Sequence, residues 1–212
     1  AALLEEAARA GALLSYDPNL RGLPSPEERA RVEAYLGRVD LLKLSLEDAR
    51  LLFPEAPLEA VRRLPPRLKV LTLGPEGALA FLGEGEVRVP GVRVRVVDTV
   101  GAGDTFTAGL LALLLRRGGG RGVLEGLDLE GLREALEAAV ALSALACTVR
   151  GAGLPEEGLA GDLEQDPPVA DRRPAAGVVG RRARIAHSSS PSAYRVKRRT
   201  RMFSPIVAIA AV

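Results

Sequence analysis

Histidine and cysteine are nearly missing from this chain: 212 residues contain one of each, His187 and Cys147. A single cysteine excludes an internal disulfide framework and a four-cysteine zinc site, and a single histidine excludes a three-histidine metal site or a two-histidine helix motif. Tryptophan is absent and aromatics make up 3%, which argues against a base-stacking surface. Charge of one sign is also lacking, since 29 basic side chains face 27 acidic ones for a net +2. That balance does not point to a nucleic-acid partner. The apolar run Val207–Val212 is far short of the roughly 20 residues that span a membrane. Glu5 and Glu6 interrupt the opening apolar stretch, so no secretory leader is expected and the cytoplasm is the expected compartment. What remains, 47% hydrophobic and 26% charged, is an ordinary globular composition and excludes a fully disordered or collagen-like chain. With so little His and Cys, any catalysis is expected to rest on carboxylates, backbone amides and bound cations.

The charge is unevenly placed. Residues 1–157 hold 19 basic and 23 acidic side chains, whereas residues 158–212 hold 10 and 4. The second segment gathers Pro167, Pro168, Pro174, Pro191 and the run Ser188–Ser190. It buries too little to offset its ordering entropy, so a basic low-complexity tail is expected, disordered or non-native. The expected domain is therefore 1–157, with 158–212 outside it.

Within 1–157, apolar runs and turn residues alternate. Helices are expected over Ala2–Ala10, from Ser25-Pro26 to about Leu36, over Leu46–Phe53 behind Ser45, and over Leu58–Leu64. Strands are expected at Ala12–Tyr16, Val39–Leu44, Val70–Leu73, Ala78–Leu82, Glu86–Val89 and Val92–Val97, the fourth and fifth as an antiparallel hairpin. This alternation predicts an α/β layer with a largely parallel sheet, whose ligands lie beyond the carboxyl ends of the strands. Asp17, Ser45, Gly74 and Asp98 each follow an expected strand and should gather along one edge.

The most informative segment is Asp98-Thr99-Val100-Gly101-Ala102-Gly103-Asp104, followed by a long apolar helix expected from Thr105 to about Leu115. Glycines on both sides of Ala102 let the backbone turn tightly and aim several N–H groups one way. They stand at a helix N-terminus, where the macrodipole is worth about +0.5 charge. Such an amide cradle suits a phosphate, and Asp104 beside it could take a proton from an attacking hydroxyl. Read by itself, the segment fits equally well a tight turn with an aspartate cap. It is neither a Walker loop, lacking Gly-Lys-Ser/Thr, nor a full G-x-G-x-x-G, since Phe106 stands where the last glycine belongs.

DTVGAGDTF resembles the DTxGAGDxF signature of the ribokinase-like (PfkB) carbohydrate kinases. Asp17-Pro18-Asn19-Leu20-Arg21 resembles the D-P-N-x-R segment of fructokinase-type members, and Asp40–Asp48 resembles the junction carrying the N-x-x-E element. Thr72-Leu73-Gly74-Pro75-Glu76-Gly77 resembles the nucleotide-binding T-x-G-x-x-G turn, and Thr148–Ala152 the closing loop. These segments occur in family order across residues 12–155.

The resemblance implies a ribokinase-like three-layer sandwich with a mainly parallel central sheet. It implies ATP-dependent phosphorylation of a sugar hydroxyl, with Asp104 as general base and Gly101, Ala102, Gly103 and the Asp104 amide as the anion hole. Ser45, Thr72, Gly74, Glu76 and Gly77 would line the ATP site, with Gly101 and Gly103 also touching it. Asp98 and Val100, with carbonyls of Ala146, Val149 and Gly151, match positions that hold a monovalent cation, expected to be K+. Asp48 stands where a glutamate reaches water-bound Mg2+, one methylene shorter than the family residue. Glu47 could substitute for it or face solvent. Arg21 and Lys43 could bring positive charge near the phosphates or simply be solvated. Fructose is favoured over ribose or 2-keto-3-deoxygluconate by Asp17–Arg21 and Lys43–Ser45.

The family's N-terminal half, with its Gly-Gly sugar motif and β-sheet lid, has no counterpart here, so the chain resembles the carboxyl-terminal, ATP-binding portion of a longer kinase. That lid often makes the dimer contact, so a homodimer is expected of the full-length protein. Two other readings stay open: a nucleotide-binding fragment without kinase activity, and an interaction protein using its basic tail.

Overall fold

The computed structural model describes residues 2–20, 22–155 and 206–210. The remainder of the segment expected to be a tail, and Arg21, lie outside the described residues. The elements in chain order are α1 (Ala2–Arg9), β1 (Leu13–Asp17), α2 (Pro26–Leu36), β2 (Leu41–Ser45), α3 (Leu46–Leu52), α4 (Pro57–Arg62), β3 (Leu68–Thr72), β4 (Ala78–Leu82), β5 (Gly85–Val89), α5 (Ala102–Arg117), α6 (Leu129–Ala146) and β6 (Ile206–Ala210).

The strands form one sheet in the order β5-β4-β3-β2-β1-β6. Its centre is parallel, β1 with β2 and β2 with β3, whereas β4, β5 and β6 pair antiparallel. Strands β1 to β4 are buried along nearly their whole length because both sheet faces are covered there, whereas β5 alternates, with Glu86 and Arg88 exposed. Successive residues therefore divide between two cores. Leu13, Leu41, Leu68 and Val70 pack with Phe106, Leu110 and Leu114 of α5 and Leu132 and Leu136 of α6. Leu14, Leu42, Leu44 and Leu71 pack on the other side with Val32, Leu36, Ala49, Leu52 and Val61 from α2, α3 and α4. This is the expected three-layer α/β arrangement.

Three differences from the sequence expectation concern the site. Val92–Val97 is not a strand: residues 90–96 carry no regular structure, and Val96 and Val97 are exposed. Its alternation fits a two-faced strand, but Pro90 brings no N–H to the ladder where β5 ends. The backbone then turns to a helix end instead, where Val97 N–H donates to the Cys147 carbonyl at 2.8 Å. Helix α5 begins at Ala102, three residues before the expected start, because Gly101 at φ 83° makes the turn that Thr105 was expected to follow. Finally, Ile206–Ala210, inside the segment expected to be a tail, lies along β1 with Ser15 opposite Ala208.

Candidate functional site

Parallel register brings the carboxyl ends of β1, β2 and β3 together, with Ser45 opposite Thr72. At the end of β1, Asp17 is buried and accepts from Lys43 Nζ at 2.8 Å; their side chains are 5% and 7% exposed. Its other oxygen accepts from the Asn19 N–H at 3.1 Å. Burial pushes the Asp17 carboxyl above its ordinary value; Lys43 opposes that rise and the charge of Asp48 adds to it. Asp17 and Asp48 thus flank one site with a single ammonium at its floor.

Ser45 and Asp48 start α3 by exchanging bonds. The Asp48 N–H donates to Ser45 Oγ at 3.0 Å, and the Ser45 N–H donates to Asp48 Oδ2 at 3.2 Å. This capping box satisfies backbone groups that the first turn would otherwise leave open. Asp48 Oδ1 also accepts from the Leu20 N–H at 3.1 Å, which ties the loop after β1 to this helix. Asp48 therefore holds the loop that follows Asp17, while Glu47 is exposed. After β3, the Gly74–Gly77 turn is closed by the Leu73 N–H donating to the Gly77 carbonyl at 2.8 Å. Gly77 has φ 96°, and a Cβ there would meet the Val89 carbonyl oxygen at 2.1 Å, so no side chain fits. The Glu76 carboxylate reaches across to Arg88 of β5 at 3.3 Å.

Helix α5 starts without a side-chain cap, because its N-cap is Gly101. Its first-turn N–H groups have no intrahelical partner by geometry. Phe106, Leu110 and Leu114 recur every fourth residue on its buried face, each worth about 1.5–3 kcal/mol. That burial outweighs the roughly 1 kcal/mol an absent cap costs, so the end stays open without unravelling. Asp104 sits exposed in the first turn. A Cβ placed on Gly103 would lie 3.3 Å from Lys43 Nζ, which sets the ammonium beside the cradle. The helix start is also tied down from below: Thr107 Oγ donates to the Gly103 carbonyl at 3.0 Å, and Ser143 Oγ of α6 to the Ala102 carbonyl at 3.0 Å.

Asp98 fastens the two loops on either side of this end. Its oxygens accept from the Val100 N–H at 3.1 Å and the Gly151 N–H at 2.9 Å. The Gly151 bond first, then the Val100 bond, holds the Asp98 carboxyl below its ordinary value. Asp98 N–H donates to the Cys147 carbonyl at 3.2 Å, and Gly101 packs on Ala152 so closely that a Cβ would lie 2.9 Å from the alanine methyl.

The structure thus joins two groups of expected site residues. Asp17, Lys43, Ser45 and Asp48 meet at the strand ends, and Gly103 of the cradle reaches Lys43. Asp98, Val100, Gly101 and Gly151 meet around one latch that also takes in the Cys147 backbone, just after Ala146. The Thr72–Gly77 turn shares the sheet end by register, but its close contacts run to the exit of β5. Helix α6 and Ser143 were not anticipated. A signal existed, in Asp128 capping a run with Leu132, Leu136 and Val140 on one face.

The family model that matches is pfkB family carbohydrate kinase, over residues 1–158. "Probable fructokinase-6, chloroplastic" of Arabidopsis thaliana is 42% identical over 156 residues, covering 69% of this chain and 39% of that protein. A second relative from the same plant, with a fructokinase-8 name, is 38% identical over 156 residues, covering 70% of this chain and 72% of its own length. Among solved structures, a double mutant of the fructokinase from Vibrio cholerae O395 with fructose, ADP and potassium ion bound superposes with TM-score 0.61 at 31% identity. It covers 71% of this chain and 49% of its own. A fructokinase with bound ATP from Xylella fastidiosa gives TM-score 0.63 at 28% identity, covering 71% and 51%. The chain spans about half the length of these solved structures.

Proposed function

This chain belongs to the pfkB family of carbohydrate kinases, and from that premise we propose that it supplies the nucleotide side of an ATP-dependent sugar kinase with fructose as the acceptor. The observation that carries the reading is the uncapped start of α5, with Asp104 in its first turn and the Lys43 ammonium beside Gly103. First-turn amides that no side chain caps, with the helix dipole, favour an anion there, although the Ala102 N–H also donates to the Thr99 carbonyl at 3.3 Å. Asp104 takes the proton of the sugar hydroxyl as its oxygen bonds the γ-phosphorus, while the bond from that phosphorus to the ADP oxygen breaks. The amides of Gly101 to Asp104 and the Lys43 ammonium stabilise charge on the transferring group. Lys43 acts from a fixed place because Asp17 holds it. Thr72, Gly74 and Gly77 supply the backbone of the turn on the nucleotide side.

Asp98, whose oxygens each keep a lone pair beyond the Val100 and Gly151 N–H bonds, would offer a monovalent cation hard oxygen together with the Val100, Ala146, Val149 and Gly151 carbonyls that the family resemblance adds. Such an ion would add positive charge behind the cradle. Asp48 has both carboxylate oxygens engaged by backbone N–H groups, and the described residues contain no cluster of three His, Cys, Asp or Glu side chains able to hold a metal. They fit a Mg2+ ion that arrives on the nucleotide, held mainly by phosphates and water.

The 39% coverage of the first relative favours a second reading, a nucleotide-binding fragment without transfer activity. Calorimetry with ATP and Mg2+ tests the shared part: both readings require saturable binding that competes with ADP, and no heat overturns both. Fructose-dependent ADP release then separates them, since only the kinase reading requires it.

A further inference from the structure

The opposite end of the sheet holds a cleft that phosphoryl transfer at α5 does not use. Its volume is about 420 Å³, and its walls come from α4, the Leu64–Lys69 segment and the Gly83-Glu84 turn between β4 and β5. Arg62, Arg63, Arg67 and Lys69 line it against only Glu59 and Glu84. Glu59 is committed to Arg63 at 2.8 Å. Arg62 bridges Glu86 at 3.5 Å and stands over the Phe81 ring at 5.6 Å, which fixes its guanidinium at the mouth.

Lys69 is the unexplained group. It lies on β3 opposite Phe81 and Leu42, 5% exposed, and among the described residues it makes no side-chain hydrogen bond and no ion pair. No fully buried side-chain nitrogen is left unpartnered, so its ammonium emerges at the floor of the cleft. Burial first pulls Lys69 below its usual range, with Glu84 countering and Arg62 adding to the fall. A partly desolvated ammonium with Glu84 near but not paired to it is costly to hold, and the Arg62 guanidinium raises the cost. The stem could be buried for packing alone, but packing does not account for the arginines that line the same cleft. A compact anion with several acceptor oxygens would satisfy the point charge of Lys69 and the forked donors of an arginine together.

We propose that this cleft binds the phosphate group of a small molecule, with Lys69 at its floor and Arg62 and Arg67 at its rim. It is separate from the α5 cradle: Lys69 lies toward the amino end of β3, and Thr72 of the nucleotide side ends the same strand.

Titrating the full chain with inorganic phosphate, and in parallel with glycerol 3-phosphate, at constant ionic strength tests this by amide NMR. Saturable shifts are expected at Leu68, Lys69, Gly83 and Glu84; tighter binding by one probe identifies free phosphate or a phosphate ester as the ligand. Lys69→Met, which keeps the stem, should weaken that response about ten-fold or more, the loss of one charge-assisted contact, while shifts at Gly101–Asp104 persist. Arg67→Ala, an exposed site outside the core, gives the same reading without touching β3 packing. Shifts confined to residues 101–104, or unchanged binding in both variants, would overturn the proposal.

Discussion

Two regions of one site are built on opposite rules. At the strand ends, Asp17, Lys43, Ser45 and Asp48 are largely buried and answer one another's hydrogen bonds. At the start of α5, a few ångströms from Lys43, the amides have no cap and Asp104 stands in solvent without a partner among the described residues. The first region mainly positions, because its polar groups are largely spent on each other; Lys43, held by Asp17, is the member that also faces the α5 start. The second is the one suited to act on the proposed reading, because no side chain caps its amides, although the Ala102 N–H donates to the Thr99 carbonyl at 3.3 Å, and its carboxylate has no partner among the described residues. A buried, satisfied network beside an exposed, unsatisfied helix end is how a fold holds reactive groups still without consuming them.

The largest effect should come from the open region. Asp104→Asn keeps shape and removes the proposed proton acceptor, so on the kinase reading kcat of a full-length kinase carrying this portion should fall by about 10²–10⁴-fold. Nucleotide affinity, read by calorimetry, should hardly change, since Asp104 contributes no N–H that the variant lacks. Equal turnover in the variant would take Asp104 out of the base role and erase the contrast on the acting side.

The closed region should show itself in stability instead. Lys43→Met preserves the stem but leaves Asp17 buried without its cation, which costs about 3–5 kcal/mol near neutral pH. Because burial raises the Asp17 pKa in the folded state, its favourable contribution is fully present below the unfolded value of about 3.9 and is lost as pH rises through the folded value. Without Lys43 the folded value rises further. The deficit in urea denaturation should therefore be large at pH 7 and shrink toward pH 4. A deficit independent of pH would mean that packing, not charge, is what Lys43 provides.

The same division explains what the sequence disclosed. The cradle was legible because Gly-x-Gly-Asp ahead of an apolar helix is a local pattern whose meaning needs no distant partner. Strands β1 to β4 were legible for a similar reason, from runs largely apolar on both faces, and β5 from its alternation after the Gly83–Gly85 turn. The Asp17–Lys43 pair was not, although both residues stood out, because nothing local says that two strand ends 26 residues apart will share a proton-bearing contact. Val92–Val97 alternated like a strand, yet alternation records two faces and says nothing of a neighbour to pair with. Ile206–Ala210 suffered the converse error. Its apolar run was weighed only against a membrane span, whereas its partner β1 lies at the other end of the chain.

The smallest expected effect tests the seam between the two regions. Gly101 has φ 83°, where an L-residue pays roughly 1–2 kcal/mol, and a methyl there would press on Ala152. Gly101→Ala should therefore lower stability by about that amount, less than Lys43→Met, because the surrounding loop is exposed and Ala152 can shift. Its functional cost should exceed its thermodynamic one. Moving Ala152 also moves Gly151, whose N–H holds Asp98, and with it the loop that sets the first amides of α5. Calorimetry should show ATP binding weakened while the urea midpoint moves only modestly. If instead binding is intact and stability falls as far as in Lys43→Met, the α5 start is part of the rigid frame and the amides there are not the ones that meet the nucleotide.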